Sequence, residues 1–270
     1  MTNYSVLMTV YKKDSPLYFV QAVRSMLEQT VKTNDFVLVC DGEITDDLER
    51  AIEDAFQEDQ KILNIVRLPQ NCGLGEALRE GLQYCKNELV ARMDDDDIST
   101  SKRCERQIEA FEKDDTLSIV GSFMDEFEED FLNPIRTKKM PVTDDEIRKY
   151  SRRRNPFNHS SVMFKKSAII AVGNYSNMRT NQDVELWIRL LNEGYSGYNI
   201  PESLVLFRFE KSTYKRRKDW KNVKLLIAVW KAFRKKHYCS YWDYLVVLWS
   251  QIIIFLMPTR LLIWVYDTFR

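Results

Sequence analysis

Apolar residues in the first half of the chain fall in short, nearly continuous runs, separated by segments of helical spacing. YSVLMTV (4–10), FVLVC (36–40), ILNIVRL (62–68) and ELVARM (88–93) read as strands, with LSIVGSF (117–123) as a fifth. Between them, Val20, Val23 and Leu27 follow a Ser15-Pro16 helix start. Leu48, Ile52 and Phe56 follow Thr45, and Leu74, Leu78 and Leu82 follow a start at Asn71. A fourth helix is predicted around 102–113. Apolar strands alternating with helices predict an α/β fold, a mostly parallel sheet flanked by helices on both faces. Ligands bind such sheets beyond the carboxyl ends of the strands. Thr9-Val10-Tyr11, Asp41 and the run Asp94–Asp97 lie at three of those ends and are predicted to converge on one edge.

The second half changes character. Residues 124–140 read as an irregular excursion and NPFNHSSVMF (155–164) as a turn followed by a strand. A helix begins in Asn181–Trp187, and LVLFRF (204–209) reads as another strand. Near the C-terminus, YLVVLWSQIIIFLM (244–257) and LLIWVY (261–266) are interrupted by Pro258-Thr259-Arg260. The first block falls short of the roughly 20 apolar residues a spanning helix needs. In-plane docking on a membrane ranks first, because Trp249, Trp264 and Tyr266 suit an interface. A helical hairpin packed on the domain ranks second and a membrane span third.

Composition adds a core and a charge asymmetry. The 270 residues are 44% hydrophobic, enough to bury a substantial interior. Net charge is zero, yet Asp41–Gln60 holds nine acids and one Arg, while Lys211–Lys236 holds eleven Lys/Arg and one acid, Asp219. A basic stretch of that kind suits a polyanion: nucleic acid, diphosphate groups or an anionic membrane surface; with the motifs described below, no nucleic-acid partner is expected. Five cysteines without CxxC spacing exclude a zinc or disulfide framework and fit reduced thiols in cytosol. The N-terminal MTNYSVLMTVYKK has no basic lead or long apolar region, so no secretory leader is expected.

The chemistry begins with ARMDDDDI (91–98). Four adjacent carboxylates repel one another, and a divalent cation would offset that. Mg²⁺ takes one or two carboxylates together with phosphate oxygens and water. Asp94 and Asp96 would share a side if the strand continued. The alternative is an acidic cap, with Asp97 or Ser99 at the next helix start. Asp41 can accept from a base or a ribose hydroxyl, or serve as the strand-to-turn residue before Gly42. NCGLGEALREGL is neither GxGxxG nor a P-loop, and reads as a helix start near the ligand. His159 alone reads as structural. Asp183, at a helix start, is a candidate general base, with dipole stabilisation as the alternative and Glu185 as competitor.

Taken together, VLMTVYKKD, VLVCDG, NCGLGEAL, ARMDDDDIS, NPFNHSSVMFKKS, NQDVELWIRLL and YKRRKDW resemble the family-2 glycosyltransferases of GT-A fold. The resemblance is closest to the bacterial exopolysaccharide, capsule and O-antigen branch and covers about residues 4–220. It implies inverting transfer of a hexose or N-acetylhexosamine from a UDP-sugar, with Mg²⁺ or Mn²⁺. It implies nucleotide contacts from Thr9, Val10, Tyr11, Asp41, Asn71, Asp94 and Asp95, and metal ligation by Asp94 and Asp96. Asp183 would be the base. His159, Gln182 and Trp187 would line the sugar and acceptor pocket, and Arg208, Lys215, Arg216 and Arg217 would close on the diphosphate. The family's Glu-Asp pair is Gln182-Asp183 here, so the base's pKa should rise less. Asp95 replaces a small residue, adding charge that should tighten metal binding. Glu210 stands where some relatives carry His. Residues 1–217 are expected to form the catalytic domain and 218–270 a basic and apolar extension. A lipid-linked saccharide would be the acceptor, which places the protein peripherally at the inner face of the plasma membrane. The alternatives are a metal-dependent phosphohydrolase or nuclease, a non-catalytic relative, and transfer directly to a polyprenyl phosphate.

Overall fold

The computed structural model describes residues 2–210, 218–262 and 265. Its first half follows the predicted alternation: β1 (Tyr4–Val10), α1 (Pro16–Leu27), β2 (Asp35–Cys40), α2 (Asp46–Ala55), β3 (Leu63–Arg67), α3 (Leu74–Tyr84) and β4 (Leu89–Met93). The four strands pair in parallel in the order β3-β2-β1-β4. The apolarity of β1, β2 and β4 has a plain cause, since both of their faces are buried, whereas β3 at the sheet edge is half-buried. Phe36, Leu38 and Cys40 face one core with Phe19, Val23 and Phe56, whereas Val37 and Val39 face another with Leu78 and Leu82. Ser15 accepts from Tyr18 N at the start of α1, and Thr45 accepts from Leu48 N at the start of α2. Asn71 does not start α3. Gly73 is its N-cap, and the Asn71 side chain turns back to Asp41.

The remaining elements are β5 (Ile98–Ser99), α4 (Arg103–Lys113), β6 (Leu117–Phe127), β7 (Arg136–Lys138), α5 (Asp144–Ser151), β8 (Met163–Lys165), α6 (Lys166–Ala171), α7 (Gln182–Asn192), β9 (Ser196–Arg208), α8 (Trp220–Lys235) and α9 (Tyr241–Leu256). They add short antiparallel ladders to the parallel first half, while the long strands β6 and β9 pair in parallel. The order is β3-β2-β1-β4-β8-β6-β9-β5, with β7 beside β6. Among the described residues, β8 runs antiparallel to both β4 and β6, β5 is antiparallel to β9, and β7 is antiparallel to β6. Apolar periodicity marks a strand but carries no direction, so the reversal at β8 left no local trace.

Two boundaries also move. β6 continues four residues into the supposed excursion and returns through β7 as a hairpin. Glu126, buried in β6, is paired across it with Arg136, so a polar strand end became affordable. β9 starts well before Leu204, and its Pro201 falls where the register with β6 slips between Ser122 and Phe123. A bulge suits a residue with no N–H to give to the ladder.

Helices α8 and α9 form a hairpin packed on α7, with Val184 and Ile188 meeting Val229, Trp230, Phe233 and Val247. Block 244–257 is thus packed on the domain as one arm of a hairpin with α8, whereas the expected hairpin of 244–257 with 261–266 falls partly outside the described residues, and one face of α9 stays exposed. No helix among the described residues is long and apolar enough to cross a membrane.

Candidate active site

The strand register makes the edge. Met8 pairs with Leu38 on one side and Met93 on the other, so Asp41 and Asp94 leave their strands on either side of the end of β1. Asp41 N donates to Val10 O at 2.8 Å. Val10 contributes this backbone acceptor and buries its side chain, whereas Tyr11 is exposed. Thr9 precedes them near the end of β1, opposite Val39.

The four aspartates have different fates. One carboxylate oxygen from each of Asp94, Asp96 and Asp97 lies within 4.8 Å of the others. Three hard oxygen donors at that spacing fit Mg²⁺ or Mn²⁺. Asp97 is fully buried; Oδ1 accepts from Arg208 N at 3.0 Å, and the Ser160 side chain interacts with the carboxylate. A buried carboxylate beside two other carboxylates calls for a cation or a proton. Lost hydration, and then the charge of Asp94, push Asp96 up to about 6. Asp97 is pushed well up by burial and by Asp96. Neither Asp97 nor Ser99 caps α4, whose N-cap is Lys102. Asp95 does not join the group. It turns to Asp14, with which it shares a hydrogen bond, and burial followed by the Asp14 charge raises its pKa strongly. The extra charge expected to tighten metal binding is thus spent on a carboxyl pair.

Arg92 lies under this loop. Its side chain has no exposed surface, and Nη2 is paired with Asp94 Oδ1. Nε and Nη1 are buried without partners. Period two along β4 places Arg92 and Asp94 on one side, and a lone arginine within the apolar run ELVARM was the signal for it. Arg103, equally buried on α4, holds the strand from behind by donating through Nη2 to Arg92 O at 2.7 Å.

On the opposite flank, Asp41 anchors the loop before α3. Oδ1 accepts from Cys72 N at 2.7 Å, and Oδ2 accepts from Gly73 N and Asn71 Nδ2, both at 2.9 Å. Gly42 has φ 84°, and a Cβ there would lie 2.6 Å from Asn71 N, so the turn requires glycine. A cavity of about 410 Å³ opens between these segments, lined by Lys12, Asp41, Ile44, Pro69, Gln70 and Asn71. Asp41 and Asn71 reach it as a fixed pair.

Across the site, Asp183 occupies the first turn of α7. Asn181 before it adopts φ 61°, a left-handed conformation that Asn tolerates. Asn155 Nδ2 donates to Asp183 Oδ2 at 2.7 Å. Burial raises the Asp183 pKa, opposed by backbone N–H groups, Asn155 and the Arg92 charge. Glu185, the competing acid, is committed to Arg189. His159 Nε2 lies 3.2 Å from Tyr175 Oη and beside Trp187. Burial, reinforced by the Arg92 charge, pushes the imidazole well down and keeps it neutral.

Several expected roles shift. Trp187 is fully buried among Phe157, Phe164 and Tyr175, and backs His159 instead of lining an open pocket. Gln182 is also buried. Arg208 does not face open space: Nε donates to Asp96 O at 3.1 Å and Nη2 to Gln21 Oε1 at 2.8 Å, and the guanidinium lies 3.7 Å from the Tyr18 ring centroid. It braces the acid loop. Lys215, Arg216 and Arg217 lie outside the described residues. Sequence reasoning missed Asn155, Arg92 and Asp97.

An acid-lined strand edge in a mixed sheet of this order, with a half-buried carboxylate on a nearby helix start, defines a GT-A type fold. The sequence model of Glycosyl transferase family 2 matches residues 5–173, more than half of the chain. The chain is 37% identical over 98% of its length to the UDP-Gal:alpha-D-GlcNAc-diphosphoundecaprenol beta-1,3-galactosyltransferase of Escherichia coli, 95% of which is covered. It is 32% identical to the amylovoran biosynthesis glycosyltransferase AmsE of Erwinia amylovora, over 84% of each. In fold it matches the mannosyltransferase PcManGT from Pyrobaculum calidifontis, solved with GDP-Man and Mn²⁺, with a TM-score of 0.68 at 16% identity over 99% of this chain and 76% of that one. The chain belongs to glycosyltransferase family 2, and it is a transferase of the bacterial surface-polysaccharide branch.

Proposed function

We propose that the protein moves a hexose or N-acetylhexosamine from a UDP-sugar to a hydroxyl of a lipid-linked saccharide, with inversion at the anomeric carbon. The Escherichia coli relative uses UDP-Gal and a diphosphoundecaprenol-linked sugar, which puts galactose first among the donors to test. That relative forms a β-linkage; from an α-linked UDP-sugar this requires inversion. The observation that carries the reading is the Asp94, Asp96 and Asp97 carboxylate group together with a separate, half-buried Asp183 held by Asn155.

In this reading the three aspartates hold a divalent cation, Mg²⁺ or Mn²⁺. When bound, it neutralises charge on the departing diphosphate. Asp41 and Asn71 border the nucleotide cavity. Asp183 takes the proton of the acceptor hydroxyl, whose oxygen forms the new bond to the anomeric carbon as the bond to UDP breaks. Arg92 holds Asp94 and lowers the pKa of Asp183, so one buried charge serves both halves of the site. Lys215, Arg216 and Arg217, outside the described residues, are the candidates for contact with the diphosphate. A lipid-linked acceptor sets the work at the inner face of the membrane, with the chain attached peripherally.

The test is thermal shift with UDP and a panel of UDP-sugars, in Mn²⁺ and in chelator, followed by product analysis. Metal-dependent stabilisation by UDP, strongest with one UDP-sugar, is expected. No response to any nucleotide by the folded protein would overturn the donor assignment, and a product on free polyprenyl phosphate would overturn the acceptor.

A further inference from the structure

Helix α9 has two unlike faces. Val247 packs inward against α7 and α8. Outward, Trp242, Val246, Trp249, Ile253 and Leu256 are exposed by 73, 45, 59, 54 and 71%. Steps of four and three residues put them on one stripe, about 21 Å long at 1.5 Å per residue. The stripe carries no charge. Asp243, the only acid of α9, is turned inward, where it caps the helix at Ser240 and pairs with Arg153.

Cations flank the stripe at both ends. The Arg234 guanidinium lies 5.6 Å from the Tyr241 ring and 5.8 Å from that of Tyr244. At the other end Lys218 Nζ donates to Met257 O at 2.6 Å, and Lys224 lies 6.0 Å from Trp220, which packs on Phe255. Lys231 and Lys235 are exposed on α8, and Lys236 is exposed at its C-cap. Residues 218–262 hold eight Lys/Arg against Asp219 and Asp243. An uncharged stripe with two exposed tryptophans between cations matches the boundary of an anionic bilayer, where indoles sit at headgroup level and lysines meet lipid phosphates.

We propose that this face of α9 is the surface on which the protein lies against an anionic phospholipid bilayer, with the helix in the membrane plane. The hairpin also sets the orientation of the catalytic site. Thr180, three residues before Asp183, donates to Asn222 of α8 at 2.9 Å. Trp230 Nε1 donates to Arg152 O at 2.8 Å, three residues before Asn155. The hairpin is thus tied by hydrogen bonds to the segments that carry the base and its partner, the groups a membrane-borne acceptor has to reach. Only this last step rests on the lipid-linked acceptor proposed above.

The experiment is sedimentation of the full chain with vesicles of pure phosphatidylcholine and of equal parts phosphatidylcholine and phosphatidylglycerol. Binding to the mixed vesicles, weakened by salt and accompanied by a blue shift of tryptophan emission, is expected. The double variant Trp249→Ser, Ile253→Asp should bind them at least about tenfold less. Lys231→Glu with Lys235→Glu should weaken binding to the anionic vesicles alone. These positions are exposed, so UDP-dependent thermal stabilisation and transfer to a short water-soluble acceptor should not change. Loss of transfer with vesicle binding intact would break the enzymatic reading and leave the surface standing. Absent vesicle binding, or equal binding by the double variant, overturns the proposal. So does a wild-type dimer that the double variant turns to monomer without an effect on vesicles, which would make the stripe a contact between copies.

Discussion

The donor and acceptor sides of the site are built by different means. The donor side uses three consecutive parallel strands, whose ends deliver Val10, Asp41 and Asp94 to one edge by register alone. The acceptor side gathers Asn155 from the loop after α5, His159 from a 3-10 turn and Asp183 from the start of α7. Strand register is set by two buried faces and tolerates little slippage. Loop and helix-start positions depend on individual hydrogen bonds. Damage to the donor side should therefore abolish binding, while damage to the acceptor side should spare binding and tune chemistry.

Asp96→Ala tests the donor side and should have the largest effect. It removes one of the three clustered oxygens, so Mn²⁺-dependent stabilisation by UDP should vanish in thermal shift. Turnover should fall by roughly 10²–10³ or more, the scale of losing one strong electrostatic contact to the leaving group. UDP stabilisation that survives unchanged would remove Asp96 from the metal site.

Asp183→Asn is the counterpart. The side chain keeps its shape and loses the ability to take a proton, so transfer should drop roughly 10²–10⁴-fold. UDP-dependent stabilisation should be preserved. Loss of both would merge the two sides and undo the comparison.

Asn155→Ala is the next step down. Its amide donates to the ionised form of Asp183, which lowers that pKa. Without it the pKa rises, and the base stays protonated to higher pH. The acid limb of kcat/KM should move upward by about one pH unit, the equivalent of a hydrogen bond to a charged group. At high pH the variant should approach wild type. A uniform loss at every pH would mean that Asn155 only shapes the loop.

The same contrast explains what could be read in advance. The donor edge was legible because its strands are mostly apolar and Asp41 and Asp94 are each the first polar residue after one. The GT-A resemblance extended that reading to Asp183. Asn155 was not legible: it lies 28 positions from its partner, and nothing in NPFNHSS marks one asparagine for a distant carboxylate. The antiparallel insertion of the three-residue β8 was hidden for a related reason, since a tertiary pairing has no period. Arg208 was placed on the diphosphate by analogy. The aromatic rings of Tyr18 and Phe127 and the carbonyl of Asp96 claim its guanidinium instead.

Gln182→Glu sharpens the comparison at its finest scale. Gln182 is buried at the first position of α7, immediately before the base. A carboxylate there would restore the acidic pair of the wider family and set a like charge beside Asp183. Like charge raises the pKa of the base, whereas the helix start and the Arg92 charge favour ionisation. The net shift of the acid limb should be upward by less than about one pH unit. Donor binding should be untouched, because neither Asp41 nor the three metal-side aspartates contact residue 182. An unchanged pH profile would mean that the neutral residue at 182 is not what sets this base, and that burial, with the hydrogen bond from Asn155, controls its proton affinity.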